Sequence, residues 1–339
     1  MGQRAVLRGG ADLLARGPLG GCAHRLFPSL PPAGAACVNP LLIQQAAAEA
    51  AGAQQYPPAT LYVVATPIGN LADLSLRAIH LLGRVDAVAC EDTRVTAGLL
   101  HHLGLDRPLI AVHEHNEAQA AAQIVQRLQA GERIAYASDA GTPAVSDPGA
   151  RLVAAVQAAG LRVMPLPGPS AVLTALSAAG DTQARGFRFL GFLSPKAQAR
   201  EREIQALAAA ADEAQVLFEA PHRIEALVAA LAAALPTRRL TLARELSKQF
   251  ETLVTGPLAE LPAWLAADPN RLRGEFVLVL HAEPAAEAAA DALPAEALRL
   301  LDLLLRELPL KQAAALSAEA HGLPRKALYA AALARRGPG

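Results

Sequence analysis

The chain has 339 residues, of which 53% are hydrophobic but only 4% aromatic, and its formal charge at pH 7 is zero. That length accommodates two domains, and the neutral balance excludes a globally basic protein, so any nucleic-acid surface is local. The three cysteines, Cys22, Cys37 and Cys90, are odd in number and lack C-x-x-C spacing, which argues against a zinc site or disulfide framework and for a reducing, cytoplasmic compartment. No uncharged apolar run reaches the roughly 18 residues of a membrane span, so no membrane partner is expected.

Residues 1–58 stand apart from the rest. Arg4, Arg8, Arg16 and Arg25 face a single early acid, Asp12, with Gly and Pro scattered among them. The segment reads as a disordered extension or as upstream sequence from a misplaced start codon, with a transit peptide as the alternative. From residue 61 the pattern becomes strand, loop, helix, repeated. Apolar β-rich runs at 61–65, 85–90, 109–112, 134–137 and 162–165 alternate with helical patterns beginning near Ser75, Asp92, Glu117, Ala150 and Ser170. Such alternation predicts an α/β domain over 59–181, a mostly parallel sheet covered on both faces.

After Arg185 the pattern changes. Strands are expected at 187–192, 216–219, 240–243, 251–255 and 275–281, with helices only at 197–211 and 222–235. Fewer crossovers imply antiparallel pairing, hence a mixed-sheet domain over 182–282. An Ala/Glu/Pro linker follows. Then 294–336 forms a small helical module with a Gly322-Leu323-Pro324 break; its seven Lys/Arg against four Asp/Glu give a net +3. That charge suits nucleic acid or a docking tail equally.

The polar clusters fall where strands end and helices begin, the edge at which open α/β sheets bind ligands. The first is Thr66-Pro67-Ile68-Gly69-Asn70 and the last Pro167-Gly168-Pro169-Ser170; between them lies Ser138-Asp139-Ala140-Gly141-Thr142-Pro143 with Ser146-Asp147-Pro148-Gly149. Gly141 admits close backbone approach, and the prolines hold the loop in shape. Neither a G-x-G-x-x-G nor a G-x-x-x-x-G-K-[ST] motif is present, which disfavours an NAD or ATP enzyme. His113-Glu114-His115 lacks supporting Cys or His, so no metal is expected.

These loops, with Glu91-Asp92-Thr93-Arg94, His113-Glu114-His115-Asn116, Ala243-Arg244-Glu245-Leu246-Ser247-Lys248 and Lys311-Gln312-Ala313-Ala314, resemble the tetrapyrrole-methylase-like superfamily over roughly residues 60–335. Within it the chain is similar to the bacterial 16S ribosomal RNA (cytidine 2′-O) methyltransferases. The resemblance implies two α/β domains with S-adenosylmethionine in the cleft between them, a homodimer, and the small ribosomal subunit as partner. Carried over by position, Pro67, Ile68, Gly69, Ser138, Asp139, Ala140, Gly141, Thr142 and Ser170 would line the cofactor pocket, closed by Phe218, Ala243 and Gly274. Methyl transfer to a hydroxyl gains from a base, for which Glu91, Asp92, Glu114, Glu245 and Lys248, and also His113 and Asp147, are candidates. RNA contacts are expected from Arg94, Arg188, Lys196, Arg200 and Arg223. Phe187 and Phe189, with Phe192 just beyond, read as a core stripe rather than a base platform. Two alternatives stand beside this reading: a precorrin-type C-methyltransferase, and a non-catalytic ribosome-assembly factor on the same fold.

Overall fold

The computed structural model describes residues 39–113, 116–210, 212–283 and 293–336. Five parallel strands, β1 (Thr60–Val64), β2 (Ala87–Cys90), β3 (Leu109–Ala111), β4 (Arg133–Ala137) and β5 (Arg162–Leu166), form a first sheet in the order β3-β2-β4-β1-β5. The central strands are short, β-branched or small, and bury both faces; Leu61, Tyr62, Val64 and all of β2 are enclosed. Pro165, which cannot donate to a ladder, lies in β5 at the sheet edge.

Helices cover both faces, as the alternation predicts. On one side lie α1 (Pro40–Ala51), α2 (Leu76–Leu82) and α3 (Thr93–His102), which bury Ala47, Ile79, Leu82, Leu99 and Leu100 against Tyr62, Val64 and Val88. On the other, α4 (Glu117–Gln129) and α5 (Ala150–Ala158) pack on Leu61, Ile134 and Tyr136. Helix α4 shows why. Ala120, Ala121, Ile124 and Leu128 recur on one face, while Gln119, Gln123 and Gln126 lie between them. Each fully buried Ile or Leu here contributes roughly 1.5–3 kcal/mol.

The second sheet is mixed, in the order β6-β7-β10-β8-β9 for β6 (Phe187–Phe192), β7 (Ala214–Glu219), β8 (Arg239–Arg244), β9 (Thr252–Pro257) and β10 (Phe276–Leu280). Only β6 and β7 are parallel. Its outer face is covered by α7 (Ala197–Ala209), α8 (Ile224–Ala234) and α9 (Leu261–Ala266), through Leu207, Leu227, Leu231 and Leu261. Its inner face receives α6 (Ala171–Ala179) from the end of the first domain. Val172, Ala175 and Ala179 pack there on Val216, Ala243, Val277 and Val279. Gly180, at φ 67°, ends that helix in the left-handed conformation. The two domains therefore share a core, to which α6 and Ile68 contribute from the first domain.

Helices α10 (Ala295–Leu304), α11 (Leu310–His321) and α12 (Arg325–Arg336) bury their own cluster around Leu301, Ala313, Ala314 and Leu328, where the Ser317 hydroxyl donates to the Ala297 carbonyl at 2.8 Å. Two features differ from expectation. The disordered extension expected over 1–58 gives way to structure from Asn39: Asn39 caps α1, whose Ala47 enters the first core, and residues 1–38 lie outside the described residues. Helix α9 is absent from the sequence reading because six residues with Pro262 in the first turn give too short a periodic signal.

Candidate active site

The loops after β1, β4 and β5 leave three adjacent strands at their carboxyl ends. Thr66 and Gly141 exchange backbone hydrogen bonds at 2.9 and 3.0 Å, a small antiparallel bridge beyond the parallel sheet. The Thr66 hydroxyl donates to the Ser138 carbonyl at 2.9 Å and the Ser138 hydroxyl to the Gly141 carbonyl at 3.0 Å. Thr142 ties the third loop in by donating to the Pro169 carbonyl at 2.9 Å. Gly141 sits at φ 79°, where only glycine is unstrained, and Ala144 follows at φ 63°. A Cβ on Gly168 would lie 2.9 Å from that of Ala65, so the last loop passes close against the first.

From the opposite domain, the hairpin loop between β8 and β9 reaches across. A Cβ on Gly69 would lie 2.4 Å from Lys248 Cγ, and the Ser247 hydroxyl bonds the Asp73 carboxylate. Glu245 and Ser247 hold left-handed backbone at φ 53° and 67°, a cost offset by contacts. Lys248 Nζ donates to Glu245 at 2.9 Å and Glu275 at 3.0 Å, and Glu245 accepts the Glu275 amide at 2.9 Å. Burial lowers the affinity of Lys248 for its proton, but the two carboxylates outweigh it and push its pKa up.

Between these walls lies a cleft of about 260 Å³. Ile68, Ala140, Gly141, Thr142, Val145, Ser146, Asp147, Ser170, Ala171 and Val172 line it from the first domain. Phe192, Phe218, Glu219, Ala220, Pro221, Leu246, Glu275, Phe276 and Val277 line it from the second. The amino end of α6 opens onto it, with Ser170 as N-cap. The start of α5 is already served from inside: buried Glu117 accepts the Gly149 and Arg151 amides at 3.0 and 3.2 Å.

Four carboxylates crowd the end of β2 and the β4 loop. Burial first, then the charges of Asp139, Asp147 and Asp92, push Glu91 up to about 7. Burial and Asp139 push Asp147 up to about 6. Asp139 is raised mainly by burial, although its carboxylate accepts the Asp92 amide at 3.0 Å. Asp92 goes the other way, down to about 2, because Arg94 clamps it at 2.5 and 3.0 Å while it caps α3.

Of the expected cofactor residues, Ile68, Ala140, Gly141, Thr142, Ser170 and Phe218 line the cleft. Pro67, Gly69, Ser138, Asp139, Ala243 and Gly274 are not part of that lining: Ser138 shapes the loop, Ala243 is wholly buried and Gly274 backs onto Glu245. Among base candidates, Asp92 is a helix cap and Glu245 and Lys248 are paired to each other; Glu114 lies outside the described residues, as does His115. Of the expected RNA residues, Arg94 and Arg188 expose most of their side chains, although Arg188 pairs with Glu213 at 3.0 Å. Lys196 is exposed and Arg200 half-buried. Arg223 is a correction: it turns inward to Glu219 at 3.1 Å and to the Leu193 carbonyl at 2.6 Å, so its guanidinium is committed within the fold. Phe192 is another, since it lines the cleft instead of joining a core stripe. The second-domain lining runs on from the expected Phe218 and from beside the expected Gly274, through Glu219 to Pro221 and Glu275 to Val277. Its one signal was that both segments adjoin strand ends.

Residues 60–262 match the family described as Tetrapyrrole (Corrin/Porphyrin) Methylases, and residues 291–336 match the RsmI C-terminal HTH domain. A Pseudomonas aeruginosa protein named Ribosomal RNA small subunit methyltransferase I is 50% identical over 281 residues, covering 82% of this chain and 98% of its own length. Its namesake from Escherichia coli O157:H7 is 48% identical over 281 residues, covering 82% and 96%. Among solved structures, a cobalt precorrin-4 methyltransferase superposes with a TM-score of 0.50 at 14% identity, over 65% of this chain and 94% of its own. Diphthine synthase does so with a TM-score of 0.50 at 13% identity, over 66% and 90%. These last two likenesses concern the fold alone.

Proposed function

The chain belongs to the Ribosomal RNA small subunit methyltransferase I family within the tetrapyrrole methylases, and from that membership we infer that it methylates the ribose 2′-hydroxyl of a cytidine in 16S ribosomal RNA, using S-adenosylmethionine. The observation that carries the reading is near-50% identity across almost the whole length of the relatives. The precorrin alternative rests on far more distant likenesses of fold, and the assembly-factor alternative leaves the built cleft without a use. A cytoplasmic homodimer completes the reading and rests on the family resemblance.

The cleft fits this cofactor on its own chemistry. Ile68, Val172, Phe218 and Val277 supply apolar walls for an adenosyl group, and the glycine turn at Gly141 lets backbone approach. The amino end of α6, with its positive dipole end, suits a carboxylate. Ile68, Ala140, Gly141, Thr142, Ser170 and Phe218 would hold the group, while Pro67, Gly69, Ser138, Asp139, Ala243 and Gly274 shape the loops around it. S-adenosylmethionine supplies an electrophilic methyl on its sulfonium. The protein's part is to fix the attacking oxygen in line with that methyl and to accept the hydroxyl proton. Asp147 is assigned that proton: it lines the cleft and its carboxylate is poised near neutral pH. Burial, and then the negative charge of Asp139, raise its basicity. Exposed Lys196 remains available to phosphates, whereas Arg94, though exposed, is paired with Asp92.

The test is direct. Purified protein is incubated with methyl-labelled S-adenosylmethionine and small subunits lacking the modification, and nucleosides from the 16S RNA are then analysed by mass spectrometry. Labelled 2′-O-methylcytidine is expected; its absence, with cofactor binding intact by calorimetry, would sink the reading.

A further inference from the structure

Strand β6 carries one residue too many for its pairing. Phe189 sits opposite Val216 and Gly191 opposite Leu217, so Leu190 is extra, and Gly191 takes left-handed backbone at φ 67°. Side chains alternate along a strand, so in unbroken register Phe192 would face away from Phe187 and Phe189. The bulge turns it back. Phe192 pairs with Phe218, and its ring meets the Phe218 ring edge-on at 5.9 Å, as that of Phe189 does at 4.9 Å.

The ring so supported lines the cleft yet remains 56% exposed. A bulge beside a pocket is a device for re-aiming a side chain, and what it aims here is an aromatic face in a chain with few of them. Exposed Lys196 follows four residues on, at the start of α7, and offers a cation to a nearby phosphate. To present a ribose hydroxyl inside a cleft, a nucleotide must leave its stack, which strips its base of stacking neighbours. We propose that Phe192 stacks on the base of the nucleotide being methylated, taking the place of a neighbouring base. The proposal rests on the RNA-methylating reading above. Phe218, behind the outer ring, stays with the cofactor.

In the full-length protein, Phe192→Ala is expected to raise KM for small subunits about ten- to hundredfold, with the Kd for S-adenosylmethionine changed less than about twofold. Phe192→Trp should retain low KM, and Phe192→Leu, apolar but not flat, should resemble Phe192→Ala. An unchanged KM in Phe192→Ala overturns the proposal. A parallel loss of cofactor affinity overturns it too, by making the ring part of the cofactor's wall, and so does a change in sedimenting mass, by making it a contact between copies. If the wild-type protein itself fails to methylate, it is the activity that has failed. Anisotropy with a cytidine-containing RNA oligonucleotide, read across the same variants, then decides Phe192 separately.

Discussion

Asp147 illustrates how a carboxylate becomes a base through its surroundings. Burial and Asp139 push it up to about 6, while Asp92, gripped by Arg94, is held at about 2 and cannot take a proton near neutrality. Asp147→Asn should lower kcat by about a hundredfold or more while cofactor affinity measured by calorimetry holds. The sign with pH follows from the role: a base works only when ionised. Wild-type kcat/KM for RNA should therefore rise with pH through about 6 and level off above, and the variant should lose that limb. None of this separation was legible in the sequence. Glu91, Asp92, Glu245 and Lys248 all follow strands and all look poised for chemistry. What divides them is which neighbour each meets in space, as with Glu245 and Lys248, 2.9 Å apart and committed to one another.

At the scale of elements, the sequence was legible wherever one period dominated. The strands of both sheets and helices such as α4 stand within a few residues of their expected positions, since a buried strand and an amphipathic helix each repeat a signal. Irregularities were not legible: the Leu190 bulge reverses the orientation of Phe192 with no mark beyond one glycine, and α1 has weak patterning but a place in the core. The join of α4 and α5 depends on a long-range bond of the same unreadable kind. Glu117, at the first turn of α4, accepts two amides at the start of α5, where Gly149 at φ 125° leaves no room beside the Tyr136 ring. Glu117→Leu should strand those buried donors and cost on the order of 2 kcal/mol, measured by urea unfolding.

For the molecule as a whole, the acidic cluster sets activity against stability. Glu91 holds its proton more tightly in the fold, at about 7, than in the unfolded chain, at 4.5. Its contribution to stability is therefore lost as pH rises from about 4.5 through about 7. Glu91→Gln should raise the urea midpoint at pH 8 and leave it nearly unchanged near pH 4, read in parallel titrations. His281 acts oppositely. Buried and bonded to Thr241 at 2.7 Å, it resists protonation, so its contribution is present above pH 6.5 and fades as pH falls below it. The clasp of Ser247 on Asp73 and Lys248 on Gly69 bears on the catalytic cycle. It ties the two domains together beside Leu246, while Phe192 in the same lining stays exposed. A nucleotide stacked on Phe192, as proposed above, would stand over the bound cofactor, and the order expected is cofactor first, RNA second, with methylated RNA departing before the spent cofactor. Bound small subunits should therefore slow the release of S-adenosylhomocysteine in stopped-flow displacement; an unchanged release rate would mean that the two ligands come and go independently.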